Sequence, residues 1–134
     1  MIEKIFPATD ESLAEASGFV LSFLEENDCS PKAMIQIEVA FEELYVNVAH
    51  YAYGDKTGDI KITVEVNGDF TDISFVDTGK PFDPLAKPDP DITASADERQ
   101  IGGLGIFMVK KTMDDVRYKY EDGQNMLTIT KKIK

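Results

Sequence analysis

The chain has 134 residues, 43% of them hydrophobic and 29% charged, and a formal net charge of −11. That size and balance fit one ordinary globular domain spanning residues 1–134. The acidic excess is spread along the chain, which disfavours nucleic acid, a polyanion that needs a basic footprint, and favours basic protein surfaces. No apolar run is long enough to cross a membrane. The N-terminus lacks signal-peptide anatomy, and the single cysteine, Cys29, has no internal partner. A cytoplasmic setting is therefore expected.

Residues 2–6 read as a short edge strand before Pro7. Thr9 or Asp10 can cap a helix running to about Asn27, with Leu13, Ala16, Val20 and Leu24 on one face. Ser30-Pro31 is a strong start for a second helix, an N-cap followed by proline in the first turn. That helix ends near residues 51–54 and carries the stripe Ile37, Ala40, Phe41, Leu44 and Val48. Ile35, Val39 and Val46 lie off the stripe, so two of its sides are apolar and it should be the most buried helix. Residues 60–66 alternate as a strand, Asn67-Gly68-Asp69 makes a hairpin turn, and 70–76 return. From 78 to 101 the pattern breaks, with Pro81, Pro84, Pro88 and Pro90 and a polar tract. This is the expected lid or binding loop, about 80–102. A helix from about 104 to 113 follows, then a hairpin of 116–120 and 126–131 turned at Asp122-Gly123. The order predicts an α+β, two-layer α/β sandwich, a mostly antiparallel sheet with helices packed on one face.

Three segments carry candidate chemistry. Glu43 and Asn47 stand four residues apart, one helical turn above the other at the edge of the apolar stripe. The pair reads either as a solvated helix edge or as a site. In a site, the Asn47 carbonyl would hold Mg2+, a cation that takes hard oxygen ligands and few of them from protein. Glu43 would be the base that accepts a hydroxyl proton, with Glu42 as the alternative carboxylate, turned away by one residue. Asp77, in phase with Ile73 and Phe75, should point to the buried face. It either closes an Asx-turn over Thr78-Gly79 or accepts a hydrogen bond from the adenine amine. In the second case Gly79 would be needed because a side chain there would strike the base. Gly102-Gly103-Leu104-Gly105 is either a flexible helix entry or a place where backbone amides meet phosphate at the positive end of a helix dipole. Arg99 in the lid could reach a terminal phosphate, and Thr128 could add a polar contact from the last hairpin. No Walker or Rossmann spacing is present.

In their order these segments resemble the GHKL ATPase superfamily of gyrase, heat-shock chaperone, histidine kinase and MutL domains. Glu42-Glu43-Leu44-Tyr45-Val46-Asn47 is similar to its N box, Asp77-Thr78-Gly79-Lys80-Pro81-Phe82-Asp83-Pro84 to its first glycine box, and Gly102-Gly103-Leu104-Gly105-Ile106 to its second. The nearest resemblance is to the small bacterial anti-sigma factor serine kinases. It implies a Bergerat-type ATP-binding fold with ATP and Mg2+ beneath a lid. It implies a protein serine kinase that binds a sigma factor and phosphorylates a STAS-domain anti-anti-sigma partner, and a homodimer. Carried across, Glu43 is the catalytic base, Asn47 the Mg2+ ligand, Asp77 the adenine contact, and Gly79, Gly103 and Gly105 the pocket and phosphate glycines. The chain departs from the pattern at Pro81 (usually glycine), at Tyr51 (usually histidine, here one residue earlier as His50) and at Ile101, where sporulation members carry arginine. Two other readings share these residues: a nucleotide-gated protein-binding module, and a detached histidine-kinase catalytic domain.

Overall fold

A computed structural model describes residues 1–53, 56–86 and 101–134, with backbone alone for 86 and 101–104. The chain forms β1 (Ile2–Pro7), α1 (Leu13–Glu26), α2 (Pro31–Tyr51), β2 (Asp59–Asn67), β3 (Phe70–Asp77), α3 (Ile101–Thr112), β4 (Asp115–Glu121) and β5 (Gln124–Lys132). The five strands make one sheet in the order β1-β2-β3-β5-β4, and every neighbouring pair is antiparallel. One face of the sheet, with Ile62, Ile73, Phe75, Leu127 and Ile129, is buried against Val20 and Leu24 of α1, Ile37, Phe41 and Leu44 of α2, and Ile106 and Val109 of α3. The α+β two-layer sandwich expected from the element order is the fold observed.

Local sequence accounts for the elements. The Ser30 hydroxyl accepts a 3.2 Å bond from the Ala33 amide, and Pro31 follows where no amide is needed. Gly68 and Gly123 take positive φ in the two hairpin turns. The start of α1 differs from expectation. A 3-10 turn, Asp10–Ser12, intervenes, and the Thr9 hydroxyl bonds to the Ser12 hydroxyl rather than to a helix amide. The helix expected from about 104 begins at Ile101, so Gly102 and Gly103 lie in its first turn. α2 is buried on one side only: Ile35 is 66% exposed and Val39 51%. The core takes the stripe that faces the sheet; of the second apolar side Ile35 and Val39 meet solvent while Val46 is half-buried.

α2 lies across the sheet and is fastened at both ends. The Tyr45 ring is buried, its hydroxyl donates to the Pro7 carbonyl at 2.8 Å, and burial pushes its pKa up to about 12. Lys80 N donates to the Ala52 carbonyl at 2.9 Å, seating the segment after β3 on the C-terminal end of α2. This end of the sheet, where Asp77 pairs with Asn125, carries the site described next. At the opposite end Ser30 N donates to the Ile133 carbonyl and Ile133 N to the Asp69 carbonyl, at 2.7 and 2.8 Å.

Candidate nucleotide site

Asp77 is the last residue of β3 and is 5% exposed. Its Oδ1 accepts from Gly79 N and from Asn125 Nδ2, each at 2.9 Å. Burial raises its carboxyl above the ordinary range, against the pull of the Asn125 and Gly79 bonds. Oδ2 accepts no hydrogen bond from the described residues. A buried carboxylate oxygen without a donor is costly, and one that borders a pocket can accept from a ligand that brings a donor. Asp77 lines a small pocket together with Asn47, Val48, Ala52, Phe82, Pro84, Tyr118, Asn125 and Leu127. The Asx-turn of Asp77 is therefore observed, and it uses one oxygen only.

The turn after β3 is built by close approach. A Cβ on Gly79 would lie 2.1 Å from the Ala52 carbonyl oxygen and 2.5 Å from its carbon. Gly79 is thus required by the backbone at the end of α2. Tyr53 braces the other side: Thr78 N donates to its hydroxyl at 3.1 Å, and that hydroxyl donates to the Asp59 carbonyl at 2.6 Å. Its ring occupies the space a Cβ on Gly58 would need, 2.2 Å away. Tyr51 stacks on Phe82, with centroids 5.5 Å apart and planes at 22°. The tyrosine at this departure from the resemblance therefore holds the loop after β3. His50 turns away, with Nε2 2.9 and 3.0 Å from the carboxylate oxygens of Asp10.

Glu43 projects from α2 toward the start of α3. Glu43 is exposed, and a Cβ on Gly105 would fall 2.0 Å from its Oε2. The candidate base and the third glycine of the second box are therefore in touch, and the absence of a side chain at 105 leaves room for the carboxylate. Asn47, half-buried, shares the pocket with Asp77. Gly102, Gly103 and Leu104 supply helical backbone next to this contact. Arg99 and most of the expected lid, residues 87–100, lie outside the described residues.

Thr128 is not brought to the site. Alternation on β5 sends Asn125, Leu127 and Ile129 to the buried face and Thr128 to the other, where its hydroxyl bonds that of Ser74 at 2.8 Å. The polar group that β5 does supply is Asn125, buried at 4%. Beside the Asp122-Gly123 turn it looks like a turn residue. The available signal was its phase, two residues before Leu127. Tyr118 of β4 also lines the pocket and donates its hydroxyl proton to Asn125 Oδ1; burial raises that hydroxyl's pKa and keeps the proton in place.

An antiparallel sheet with an Asp-x-Gly turn at one end, a helix bearing asparagine beside it and a second, glycine-opened helix against the first defines a GHKL-type ATPase domain. Residues 6–131 match the family described as the histidine kinase-like ATPase domain, and the chain belongs to that family. It is similar to the serine-protein kinase RsbW of Listeria monocytogenes, 28% identical over 103 residues, which is 73% of this chain and 66% of that protein. It is also similar to the RsbW of Bacillus cereus, 26% identical over 127 residues, 92% of this chain and 73% of that one. The solved RsbU and RsbW domains of a Mycobacterium tuberculosis protein share the fold, with a TM-score of 0.67 over 99% of this chain and 33% of theirs at 16% identity. So does the catalytic domain of the histidine kinase ThkA, with a TM-score of 0.57, covering 99% of this chain and 98% of that domain at 15% identity. Among the described residues no helix is long and apolar enough to cross a membrane.

Proposed function

We propose that this chain is an ATP-binding protein serine kinase of the anti-sigma type, which phosphorylates a STAS-domain anti-anti-sigma partner and binds a sigma factor. The observation that carries the nucleotide reading is Asp77, buried, with one oxygen fixed and the other without a donor among the described residues, in a pocket shared with Asn47. A carboxylate acceptor suits the adenine amine. The similarity to curated serine-protein kinases supports a protein hydroxyl as phosphate acceptor.

In this reading adenine meets Asp77, and the phosphates run toward the start of α3, where the backbone of 102–105 offers amides to anions. Glu43 takes the proton from the seryl hydroxyl as its oxygen attacks the terminal phosphorus. The bond from that phosphorus to the bridging oxygen breaks, and ADP leaves. The Asn47 carbonyl would hold Mg2+, which would supply positive charge against the phosphates in a chain of net charge −11. The remaining parts of the proposal are one domain over 1–134, a lid of about 80–102 carrying Arg99, a homodimer and a cytoplasmic setting.

The test is incubation with ATP, Mg2+ and candidate STAS-domain proteins, read for phosphoserine against phosphohistidine. Phosphoserine on a STAS protein, lost in Glu43→Gln, supports the kinase. ATP binding without any transfer would leave a nucleotide-gated binding module, and phosphohistidine would favour a detached histidine-kinase domain.

A further inference from the structure

Asn125 sits at the meeting point of three strands and a loop, and every hydrogen-bonding capacity of its side chain is used. Its Oδ1 accepts from Phe82 N at 3.1 Å and from the Tyr118 hydroxyl, one donor for each lone pair. Its Nδ2 donates to Asp77 Oδ1 and to the Lys80 carbonyl, both at 2.9 Å, with the Gly79 carbonyl 3.5 Å away. The orientation of the amide is therefore forced. A flipped amide would set its NH2 against two donors and its oxygen against a carboxylate and a carbonyl. With Asn125 Nδ2 and Gly79 N both on Oδ1, Asp77 cannot turn, and Oδ2 is left to face a ligand as an acceptor.

We propose that Asn125 is the positioning residue that sets base selectivity in this pocket: its carboxamide fixes Asp77 as a hydrogen-bond acceptor and locks that acceptor to the loop of residues 79–82. The inference rests on the nucleotide reading above and goes beyond it. An acceptor at Oδ2 pairs with a base edge that carries an amine and repels one that carries a carbonyl. Asn125 thus selects adenine over guanine by holding the residue that meets the base. The loop that it ties through Phe82 N and Lys80 O leads on to Pro84, which lines the same pocket, so binding at Asp77 and seating of this loop depend on one amide.

The titratable groups around this amide are Asp77 on β3, Tyr118 and Tyr120 on β4, and Lys80 and Asp83 on the loop; α2 and its C-cap present Asn47, Val48 and Ala52, none of them titratable. The test compares ADP and GDP by calorimetry on the intact chain between about pH 6 and 8.5. Asn125→Asp keeps the shape and the Oδ1 acceptor but opposes two carboxylate oxygens, which must then share a proton. Its Kd for ADP, divided by the wild-type value at the same pH, is expected to rise about ten-fold or more across that range. Taking the ratio cancels titration of the nucleotide itself. Asn125→Ala is expected to weaken ADP about ten-fold and to shrink the preference for ADP over GDP, as loss of a hydrogen bond to a charged group does. A merely structural residue would lower the melting temperature without a pH-dependent ratio or a change in base preference. If the Asn125→Asp ratio is flat with pH and Asn125→Ala keeps the wild-type preference while Asp77→Asn loses ADP, the positioning role is overturned and the nucleotide site stands. If the wild-type chain binds neither nucleotide, both fall.

Discussion

Replacing Asp77 by asparagine changes one atom of the pocket, and the expected consequences separate binding from stability. In Asp77→Asn the amide oxygen can still accept from Gly79 N and Asn125 Nδ2, the two bonds that Oδ1 now takes at 2.9 Å. The turn after β3 should therefore survive. The atom in place of Oδ2 becomes a donor, and it faces the amine of adenine with another donor. Losing a hydrogen bond to a charged group costs roughly 1.5–3 kcal/mol, and at about 1.4 kcal/mol per decade ADP or ATP should weaken roughly ten- to hundred-fold. GTP, which brings a carbonyl to that point, should lose less or gain. Stability should move the other way. Burial raises the Asp77 carboxyl above its ordinary value, so between its unfolded and folded pKa the native state holds the proton more firmly. This group's contribution therefore falls as pH rises through that window, and at neutral pH the buried charge is a net cost that the amide removes. The substituted chain should melt at least as high as wild type at pH 7–8, and the difference should close as pH falls through the raised pKa. Calorimetry with ATP, ADP and GTP, with thermal melts over the same pH range, reads both effects. Unchanged ATP affinity in a folded variant would refute the reasoning.

Glu43→Gln should keep ATP affinity and slow phosphoryl transfer on the order of 10²–10⁴-fold, measured with radiolabelled ATP and a STAS-domain substrate. Asn47→Ala should remove the Mg2+-dependent part of nucleotide affinity, seen as equal Kd values with Mg2+ and with a chelator. Gly79→Ala drives a Cβ to 2.1 Å from a backbone oxygen and endangers the Lys80–Ala52 bond. Overpacking of this kind plus a lost hydrogen bond should cost about 2–4 kcal/mol and lower the melting temperature by roughly 6–15 °C. Gly105→Ala meets only the flexible end of Glu43, 2.0 Å away, so its melting temperature should stay within about 3 °C of wild type while transfer drops as the carboxylate is displaced.

Short-range chemistry made much of the fold legible. Ser30-Pro31 marks the start of α2 to the residue, and period-two alternation sets both hairpins and sends Asp77 inward. What escaped the sequence depends on contacts between distant segments. Gly79 is explained by Ala52 and Gly105 by Glu43, and neither partner is near its glycine in the chain. Asn125 was hidden because it follows an Asp-Gly turn. Thr128, a better-looking polar candidate, stands one step out of phase with the buried side. The apolar character of Ile35 and Val39 suggested a second buried side of α2, but the sheet offers a helix only one face to cover.

The fastening of Ser30 and Asp69 to Ile133, and the pairing of Ile2 with Val64, put both chain ends at the pole of the sheet away from Asp77 and Asn125. Geometry thus divides the molecule into a working end and a handling end. A fluorophore, a surface tether or an affinity tag joined at Met1 or Lys134 would stand off from the pocket by several residues of strand. Immobilised or labelled forms should therefore report ligand affinities indistinguishable from those of the untagged chain. This makes the domain suited to single-molecule and surface-based measurement without redesign.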